Sequence, residues 1–278
     1  MDHEITRAPE QIRRPRRRRR KQRRNPLPLI LTAMLILFSL WKLTSELTDK
    51  IRSKQYLENL AAQTVEENTL PSEETVPASL PLQETEPMEF APIQVDFEEL
   101  RLYYPDVIAW LCCPGTSINY PVVQTDNNDY YVHRLPNGQE SAGGSLFADC
   151  SNSWDFSDAN TIIYGHDMHD GSMFGYLHNF DSQTYYEKHP VFYLLTPVYN
   201  YRMDIFCGAV VPSDSDLYRL KMNADELQSW LDRVNRASVI HPNTMIDRNT
   251  EHFLTLSTCS YEYEDARFVV IGSLKQIH

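Results

Sequence analysis

A cysteine and an arginine lie at the ends of two neighbouring apolar segments near the carboxyl end of the chain. The segment TLSTC ends at Cys259, and Arg267 opens the next apolar segment after a polar loop. A thiolate attacks a peptide carbonyl readily, and the negative charge that develops on the carbonyl oxygen requires a fixed donor. The pair therefore indicates acyl transfer, although a core cysteine and a surface arginine also fit the pair taken alone.

A histidine completes the candidate set. In the segment NTIIYGHDM, a predicted strand over Thr161–Tyr164 is followed by Gly165 and His166. An imidazole at that point can hold the thiol proton and later return it to the leaving amine, as Cys-dependent acyl transfer requires. His169 forms an HxxH pair with His166, but no third ligand with a convincing position follows, so we expect no metal.

These residues need a scaffold that brings strand ends together, and the sequence after Val95 predicts one. Short segments rich in Val, Ile, Tyr and Phe recur between turn residues. Because strands dominate, a closed or nearly closed β-barrel is the natural architecture. The predicted strands are Asn119–Val123, Ser145–Ala148, Thr161–Tyr164, Val191–Leu195, Arg202–Val211, Phe253–Thr258 and Phe268–Leu274.

Helical patterns interrupt the strands at three places. The stretch DFEELRLYYPDVIAWL has apolar residues at helical spacing, and Pro105 divides it into two predicted short helices. Further helices are predicted over Ser172–Phe180 and over Asn223–Arg236, with Asn223 as the N-cap of the last one.

Charge and hydropathy divide the 278 residues into a basic tail, an apolar segment and an acidic remainder. The first 25 residues carry 11 Lys/Arg against 3 Asp/Glu, whereas the whole chain has a net charge of −12. No aromatic residue interleaves the basic run Arg16–Lys21 and no nucleic-acid-binding motif follows it, so a nucleic-acid partner is not expected. The uncharged residues Leu27–Trp41 predict a transmembrane anchor over residues 26–47.

The basic residues also predict the orientation of the anchor. They precede it, so the positive-inside rule predicts a cytoplasmic tail over residues 1–25 and an extracellular remainder. A cleaved signal peptide is the alternative, but no small-x-small cleavage site stands out downstream. Residues 48–94 are expected to form a juxtamembrane helix to about Ala61 and then a disordered linker rich in Pro, Glu, Ser and Thr. The catalytic domain is expected over residues 95–278.

The cysteines argue against a disulfide framework and against a zinc knuckle, because they are odd in number and include no CxxC pair. At least one thiol must be free or pair with another molecule, and an unpaired thiol in an exported protein can be functional. The adjacent pair is expected on a helix and partly buried. The five are Cys112, Cys113, Cys150, Cys207 and Cys259.

Three motifs in chain order resemble those of class B sortases: NYPVVQ followed by NNDYY, YGH followed by DGSMF, and TLSTC followed by Arg267. The resemblance covers about Phe97 to Leu274. It implies a mainly β fold, a sortase-like closed eight-stranded β-barrel with short N-terminal helices and a helix inserted in the long loop before the Cys-bearing strand. The helix predicted over Asn223–Arg236 fills that place.

The resemblance also implies roles for individual residues. Cys259 corresponds to the nucleophile, His166 to the general acid/base and Arg267 to the oxyanion donor. Residues that correspond to the wall of the peptide groove are Asn127, Tyr131, Tyr164, Ser257, Leu217 and Tyr218.

A carboxylate partner of the histidine is not identified by the resemblance. Some class B members carry an aspartate two residues after the cysteine, where this chain has Tyr261, so a Cys-His-Asp triad built that way is excluded. Asp167, Glu262 and Asp265 remain candidates to orient His166.

The activity that the resemblance implies is cysteine transpeptidation. A C-terminal sorting signal of a secreted protein, of NPxT-x type, is cleaved after Thr, and the acyl group passes through a thioester to an amine of a peptidoglycan precursor of the lipid II type. The expected location is the cell membrane of a Gram-positive type cell surface, with no cofactor. Two alternatives stay open: a surface cysteine peptidase that uses water, and a non-catalytic β-rich receptor or adhesin. A lysine of another protein is an alternative acceptor.

Overall fold

The structure is a computed structural model that describes residues 27–68, 89–242, 246, 250–259 and 265–277. The chain divides into two units, Met1–Ser45 and Glu46–His278. The predicted basic tail lies outside the described residues, as do residues 69–88 of the predicted linker.

The first helix, α1 (Leu27–Thr64), covers residues 27–47 of the predicted anchor and continues through the residues expected to extend it. By length and composition its apolar part can cross a membrane, and that part is exposed. Near its end, Leu57 and Leu60 are buried. Strand β1 (Val65–Glu67) follows and pairs antiparallel with β2 (Ile93–Val95). Residues before position 95 therefore contribute to packing.

Helix α2 (Phe97–Tyr103) begins after Asp96, whose side chain accepts a hydrogen bond from the backbone N–H of Glu99 at 2.9 Å. It ends before Pro105, because the residue preceding proline disfavours the helical conformation. The second short helix that the sequence predicts here is wrong, since Val107–Cys112 form strand β3. Both faces of β3 are covered, so the alternation typical of a half-buried strand is missing.

Eight strands, β3 to β10, close into a barrel, as the sequence predicts. Around the barrel the order is β10-β8-β7-β3-β4-β5-β6-β9. Two neighbouring pairs, β4 with β5 and β6 with β9, are parallel, and the others are antiparallel. The seven strands after β3 are β4 (Asn119–Val123), β5 (Leu146–Ala148), β6 (Asn160–Tyr164), β7 (Val191–Leu195), β8 (Asn200–Pro212), β9 (Phe253–Cys259) and β10 (Ala266–Ile277).

The helical segment after β6 begins later than the sequence predicts. Instead of a helix over Ser172–Phe180, a 3₁₀ turn covers Leu177–Asp181 and α3 covers Gln183–Lys188. Asp170 accepts hydrogen bonds from both the backbone N–H and the hydroxyl of Ser172. These bonds form a local turn that competes with helix formation.

The predicted helix in the long loop before β9 is confirmed as α4 (Ala224–Ala237). Asn223 and Glu226 form a reciprocal capping box at its start, which satisfies two free backbone N–H groups. Its buried residues Trp230 and Val234 pack in one apolar cluster with residues of β8, β9 and β10. The helix therefore holds the long loop against the barrel.

Candidate active site

The parallel pairing of β6 with β9 brings His166 and Cys259 to the same rim of the barrel. Tyr164 lies opposite Ser257 in this ladder, and the two candidate residues each follow two positions later. The backbone N–H of Gly165 extends the ladder by donating to the carbonyl of Ser257 at 3.1 Å. Because parallel strands run in the same direction, both residues lie at the same edge of the sheet.

Gly165 is required for the path between β6 and His166. A Cβ at this position would lie 2.5 Å from Cδ2 of Leu146 and 2.6 Å from Cδ2 of Phe174. The backbone N–H of Phe174 also donates to the carbonyl of His166 at 3.0 Å. Close packing around the glycine thus fixes the backbone that carries the imidazole.

The antiparallel pairing of β9 with β10 adds the third candidate, because Arg267 lies directly opposite Cys259. Directly opposed residues share a face of the sheet, with Cβ atoms about 4.5–5.5 Å apart. Nη1 of Arg267 donates to the carbonyl of Ala266 at 3.0 Å. In the described part of the chain, no carboxylate forms an ion pair with this guanidinium.

All three candidate residues line one cavity of about 210 Å³. Two larger cavities, of about 360 Å³ each, lie elsewhere, and neither is lined by a cysteine. Among the described residues, no group of three His, Cys, Asp or Glu side chains could hold a metal ion. The lining of the smaller cavity consists of Val132, Phe147, Tyr164, Gly165, His166, Ser257, Thr258, Cys259 and Arg267.

His166 is oriented by a backbone carbonyl. Its Nε2 lies 2.7 Å from the carbonyl oxygen of Val132. A carbonyl only accepts, so Nε2 must carry the hydrogen, and Nδ1 is the ring nitrogen left for proton exchange. The ring of His133 stacks on that of His166, with centroids 5.4 Å apart and planes inclined by 14°. The sequence analysis indicated neither Val132 nor His133 as a neighbour of His166. For Val132 the reason is that a contact to a backbone carbonyl leaves no signature in residue types.

The candidate carboxylate partners of His166 fall in different places. Asp167 lies against another histidine, with its Oδ2 3.5 Å from Nε2 of His178. Glu262 is outside the described residues. Asp265 forms no ion pair with His166 in the structure as described. The contacts described for the His166 side chain are therefore with a carbonyl and an imidazole.

Three of the expected groove residues lie together beside the cavity. Tyr164 and Ser257 line it. The hydroxyl of Tyr218 lies 2.7 Å from Oγ of Ser257, and its ring stacks on Tyr164 with centroids 6.5 Å apart. Leu217 is buried behind this group, and its carbonyl accepts from Nε1 of Trp230 at 3.2 Å. Tyr218 is thus held between α4 and β9.

Asn127 and Tyr131 do not line the cavity. The Oδ1 atom of Asn127 accepts from two following backbone N–H groups, at 3.0 and 2.9 Å, and so stabilises a turn. Tyr131 is buried, and its hydroxyl donates to Oδ2 of Asp106 at 2.8 Å. The next residue along the chain, Val132, lines the cavity and supplies the carbonyl that contacts His166.

Exposure distinguishes Cys259 from most of the other cysteines. Cys112, Cys113 and Cys207 are buried, and burial raises the pKa of each thiol to about 12. The helix expected for the adjacent pair is wrong, because Cys112 is the last residue of β3. Cys150 and Cys259 are partly exposed. Of these two thiols, only that of Cys259 lines the cavity with a histidine and an arginine.

Comparison with known proteins agrees with this arrangement. The family model described as Sortase domain matches residues 111–275. The chain is 34% identical to Sortase B of Listeria monocytogenes over 187 residues, which make up 66% of this chain and 75% of that protein. The residues matched by the family model include all three candidate residues.

Solved structures give the same result. A Staphylococcus aureus sortase B–substrate complex is similar at 30% identity and a TM-score of 0.62, covering 66% of this chain and 85% of that one. A sortase B complexed with triglycine is similar at 31% identity and a TM-score of 0.61, covering 66% and 86%. The chain belongs to the sortase family of cysteine transpeptidases, as a class B member.

Proposed function

We propose that this protein cleaves a C-terminal sorting signal of the NPxT-x type after Thr and transfers the acyl group to an amine of the cell wall. The observation that carries the proposal is the meeting of Cys259, His166 and Arg267 at one cavity, through the pairing of β9 with both β6 and β10. This is the arrangement that thiol-based acyl transfer needs.

In the proposed mechanism, the thiolate of Cys259 attacks the Thr carbonyl and forms a carbon–sulfur bond. The guanidinium of Arg267 stabilises the oxyanion. His166, which has taken the proton of the Cys259 thiol, gives it to the departing amine as the carbon–nitrogen bond breaks, leaving a thioester on the enzyme. An acceptor amine attacks the thioester, forms the new amide and releases the thiol, with water as the slower competitor.

The contacts of His166 support its role as the proton carrier. The carbonyl of Val132 keeps the hydrogen on Nε2, so that proton exchange is assigned to Nδ1. Tyr131 precedes Val132 and is anchored by its hydrogen bond to Asp106, which makes it a support of the groove in this proposal.

The peptide groove is proposed to run past Tyr164, Ser257 and Tyr218, which offer two aromatic rings and hydroxyl groups beside Cys259. Such groups suit an extended peptide that has both apolar and polar side chains. Leu217 supports Tyr218 from behind, and Asn127 shapes the turn that leads to the groove.

The proposed acceptor is a peptidoglycan precursor of the lipid II type. A similar sortase B is complexed with triglycine, and a glycine peptide ends in a primary amine. We also propose that the apolar part of α1 anchors the protein in the cell membrane, with its N-terminus in the cytoplasm and the catalytic domain outside. That location would keep the enzyme close to exported substrates and to a membrane-bound precursor.

The test uses residues Glu46–His278 with quenched NPxT-x and LPxT-x peptides, in the presence and absence of triglycine. We expect cleavage after Thr, an amide product when the amine is present, and loss of both in Cys259→Ala. The control is Cys207→Ala, which changes a buried thiol and should leave turnover within about twofold.

Other outcomes identify the alternatives. Hydrolysis without an amide product, even at high amine concentration, would indicate a cysteine peptidase. A folded protein that cleaves no peptide and whose Cys259 alkylates no faster than a free thiol would indicate a binding module.

A further inference from the structure

His178 takes no part in the proposed chemistry, yet it contacts all three segments that carry the catalytic residues. Its Nε2 lies 2.8 Å from the carbonyl oxygen of Cys259. The same nitrogen is 3.5 Å from Oδ2 of Asp167, the residue that follows the proposed acid/base. Its ring centroid is 4.9 Å from that of Phe268, the residue that follows the proposed oxyanion donor.

The hydrogen bond of His178 has a defined direction. A carbonyl oxygen only accepts, so the hydrogen on Nε2 points to Cys259. The distance of 3.5 Å to the carboxylate of Asp167 is long for a hydrogen bond and leaves an electrostatic contact between the two groups. Nε2 of His178 therefore contacts both the end of β9 and the segment that follows β6.

The element that carries His178 is anchored in the core. The 3₁₀ turn Leu177–Asp181 places Leu177 and Phe180 on either side of it, and both are fully buried at 0% exposure. The His178 side chain itself is 26% exposed, and that of Asp167 is 13% exposed. The imidazole of His178 thus extends from a turn whose flanking side chains are buried.

We propose that His178 is a positioning residue, which holds the backbone of Cys259 in register with the segment that carries His166. This assignment rests on the proposed function, because it takes Cys259 as the nucleophile. His178 does not line the cavity, so it acts through the residues it contacts and not on the substrate. A displacement of about 1 Å between reacting groups costs on the order of 10²-fold in rate, so such a contact affects turnover.

The test compares two variants of the full-length chain in detergent micelles. His178→Gln keeps a donor at the position of Nε2, because the two side chains have the same number of bonds to that atom. His178→Phe keeps an aromatic ring beside Phe268 and removes the donor. The measurements are kcat and KM with an NPxT-x peptide, and the rate at which iodoacetamide alkylates Cys259.

We expect His178→Phe to lower kcat by about 10- to 100-fold, with KM changed by less than about threefold. Alkylation of Cys259 should keep its full extent but lose the rate enhancement that His166 provides. His178→Gln should restore kcat to within about threefold of the parent. If His178→Phe does not fold, His178→Asn replaces it, since its amide ends one bond short of the carbonyl.

The control is His189→Phe, which also removes an imidazole–carbonyl contact, Nδ1 to Pro114 at 3.1 Å, and also keeps a ring beside Tyr185. It should leave kcat within about twofold. The proposal is overturned if a folded His178→Phe variant turns over like the parent, or if His178→Gln is no better than His178→Phe. Full activity in Cys259→Ala would instead refute the proposed function itself.

Discussion

Arg267 and Cys259 lie opposite each other on neighbouring strands, and we propose that Arg267 stabilises the charge that develops when Cys259 attacks a carbonyl. Within the described residues no carboxylate forms an ion pair with the guanidinium. The buried thiols of Cys112, Cys113 and Cys207 have a raised pKa, which keeps them protonated at neutral pH. Burial thus separates these three thiols from those of Cys150 and Cys259, and of the latter two only Cys259 lines the cavity with His166 and Arg267.

Replacing Arg267 tests the oxyanion role. Arg267→Gln removes the charge and should lower kcat by about 10²- to 10³-fold, with a smaller effect on KM, because the donor acts on charge that develops during the reaction. Steady-state kinetics with an NPxT-x peptide measure this. Lys275→Gln, on the same strand and exposed, is the control and should be near neutral. Equal losses in both variants would contradict the role.

A double-mutant cycle tests the proposed groove wall. The Tyr218 hydroxyl and the Ser257 hydroxyl share a bond of 2.7 Å, so Tyr218→Phe and Ser257→Ala each remove the same interaction. We express each effect on kcat/KM as a change in activation free energy. The change in the double variant should be smaller than the sum of the two single changes by about 0.5–1.5 kcal/mol. Strict additivity would show that the hydroxyl pair does not act as a unit.

The sequence allowed the three candidate residues that meet at the cavity to be selected, because their types and their places at strand ends are visible in it. Val132 and His178 were not predictable in this way. Val132 acts through its carbonyl, and His178 contacts the carbonyl of Cys259. Any residue type offers a carbonyl, so only the folded chain identifies these contacts.

At the scale of elements, local hydrogen bonds order the segment between β6 and the 3₁₀ turn Leu177–Asp181. The hydroxyl of Ser172 donates to Asp170, which is the main reason why the pKa of this carboxyl is lowered. Lys50 and Lys54 lower it further. The segment follows His166 directly, so its conformation affects the position of the His166 imidazole.

The stabilisation from Asp170 should depend on pH. A carboxyl whose pKa is lowered on folding stabilises the folded state above its unfolded pKa, and this stabilisation is lost as the pH falls through the folded pKa. Ser172→Ala should therefore reduce the free energy of unfolding by about 0.5–1 kcal/mol near neutral pH. Urea titrations of residues Glu46–His278 should show this difference shrinking as the pH falls below the ordinary Asp pKa of about 3.9. A difference that does not vary with pH would contradict the assignment.

Strand positions were predictable from local composition, but the barrel order was not. The β6–β9 pair joins Asn160–Tyr164 to Phe253–Cys259, and no local pattern reports so distant a pairing. A closed or nearly closed barrel was predicted because strands dominate the sequence, whereas the count of eight strands followed from the family resemblance. The error at β3 has a physical cause, because Val107, Trp110 and Cys112 are buried in one cluster while Ala109 and Leu111 are buried in another.

For the whole molecule, the end of α1 packs with the barrel. Leu60 is buried in one cluster with Val107 and Trp110 of β3, and Leu57 packs in the cluster that contains Leu111. The boundary predicted at position 95 stays a prediction, but the packing argues that the stable catalytic unit includes the end of α1.

Truncating Leu60 tests this packing. Leu60→Ala removes a side chain that is 4% exposed and should lower the free energy of unfolding of residues Glu46–His278 by about 2–4 kcal/mol. Leu102→Ala is the matched control, because Leu102 is 76% exposed. Urea denaturation measures both. Equal, small effects would mean that α1 contributes little to the stability of the barrel.

The central claim is that Cys259 forms a thioester with the cleaved signal, and mass spectrometry of the acyl-enzyme tests it most directly. Residues Glu46–His278 are mixed with an NPxT-x peptide, quenched in acid within the first turnover, digested and mapped. We predict an adduct with the mass of the peptide up to Thr, on the fragment that contains Cys259, which disappears when triglycine is added. Cleavage after Thr without such an adduct, or an adduct on Cys150, would contradict the account.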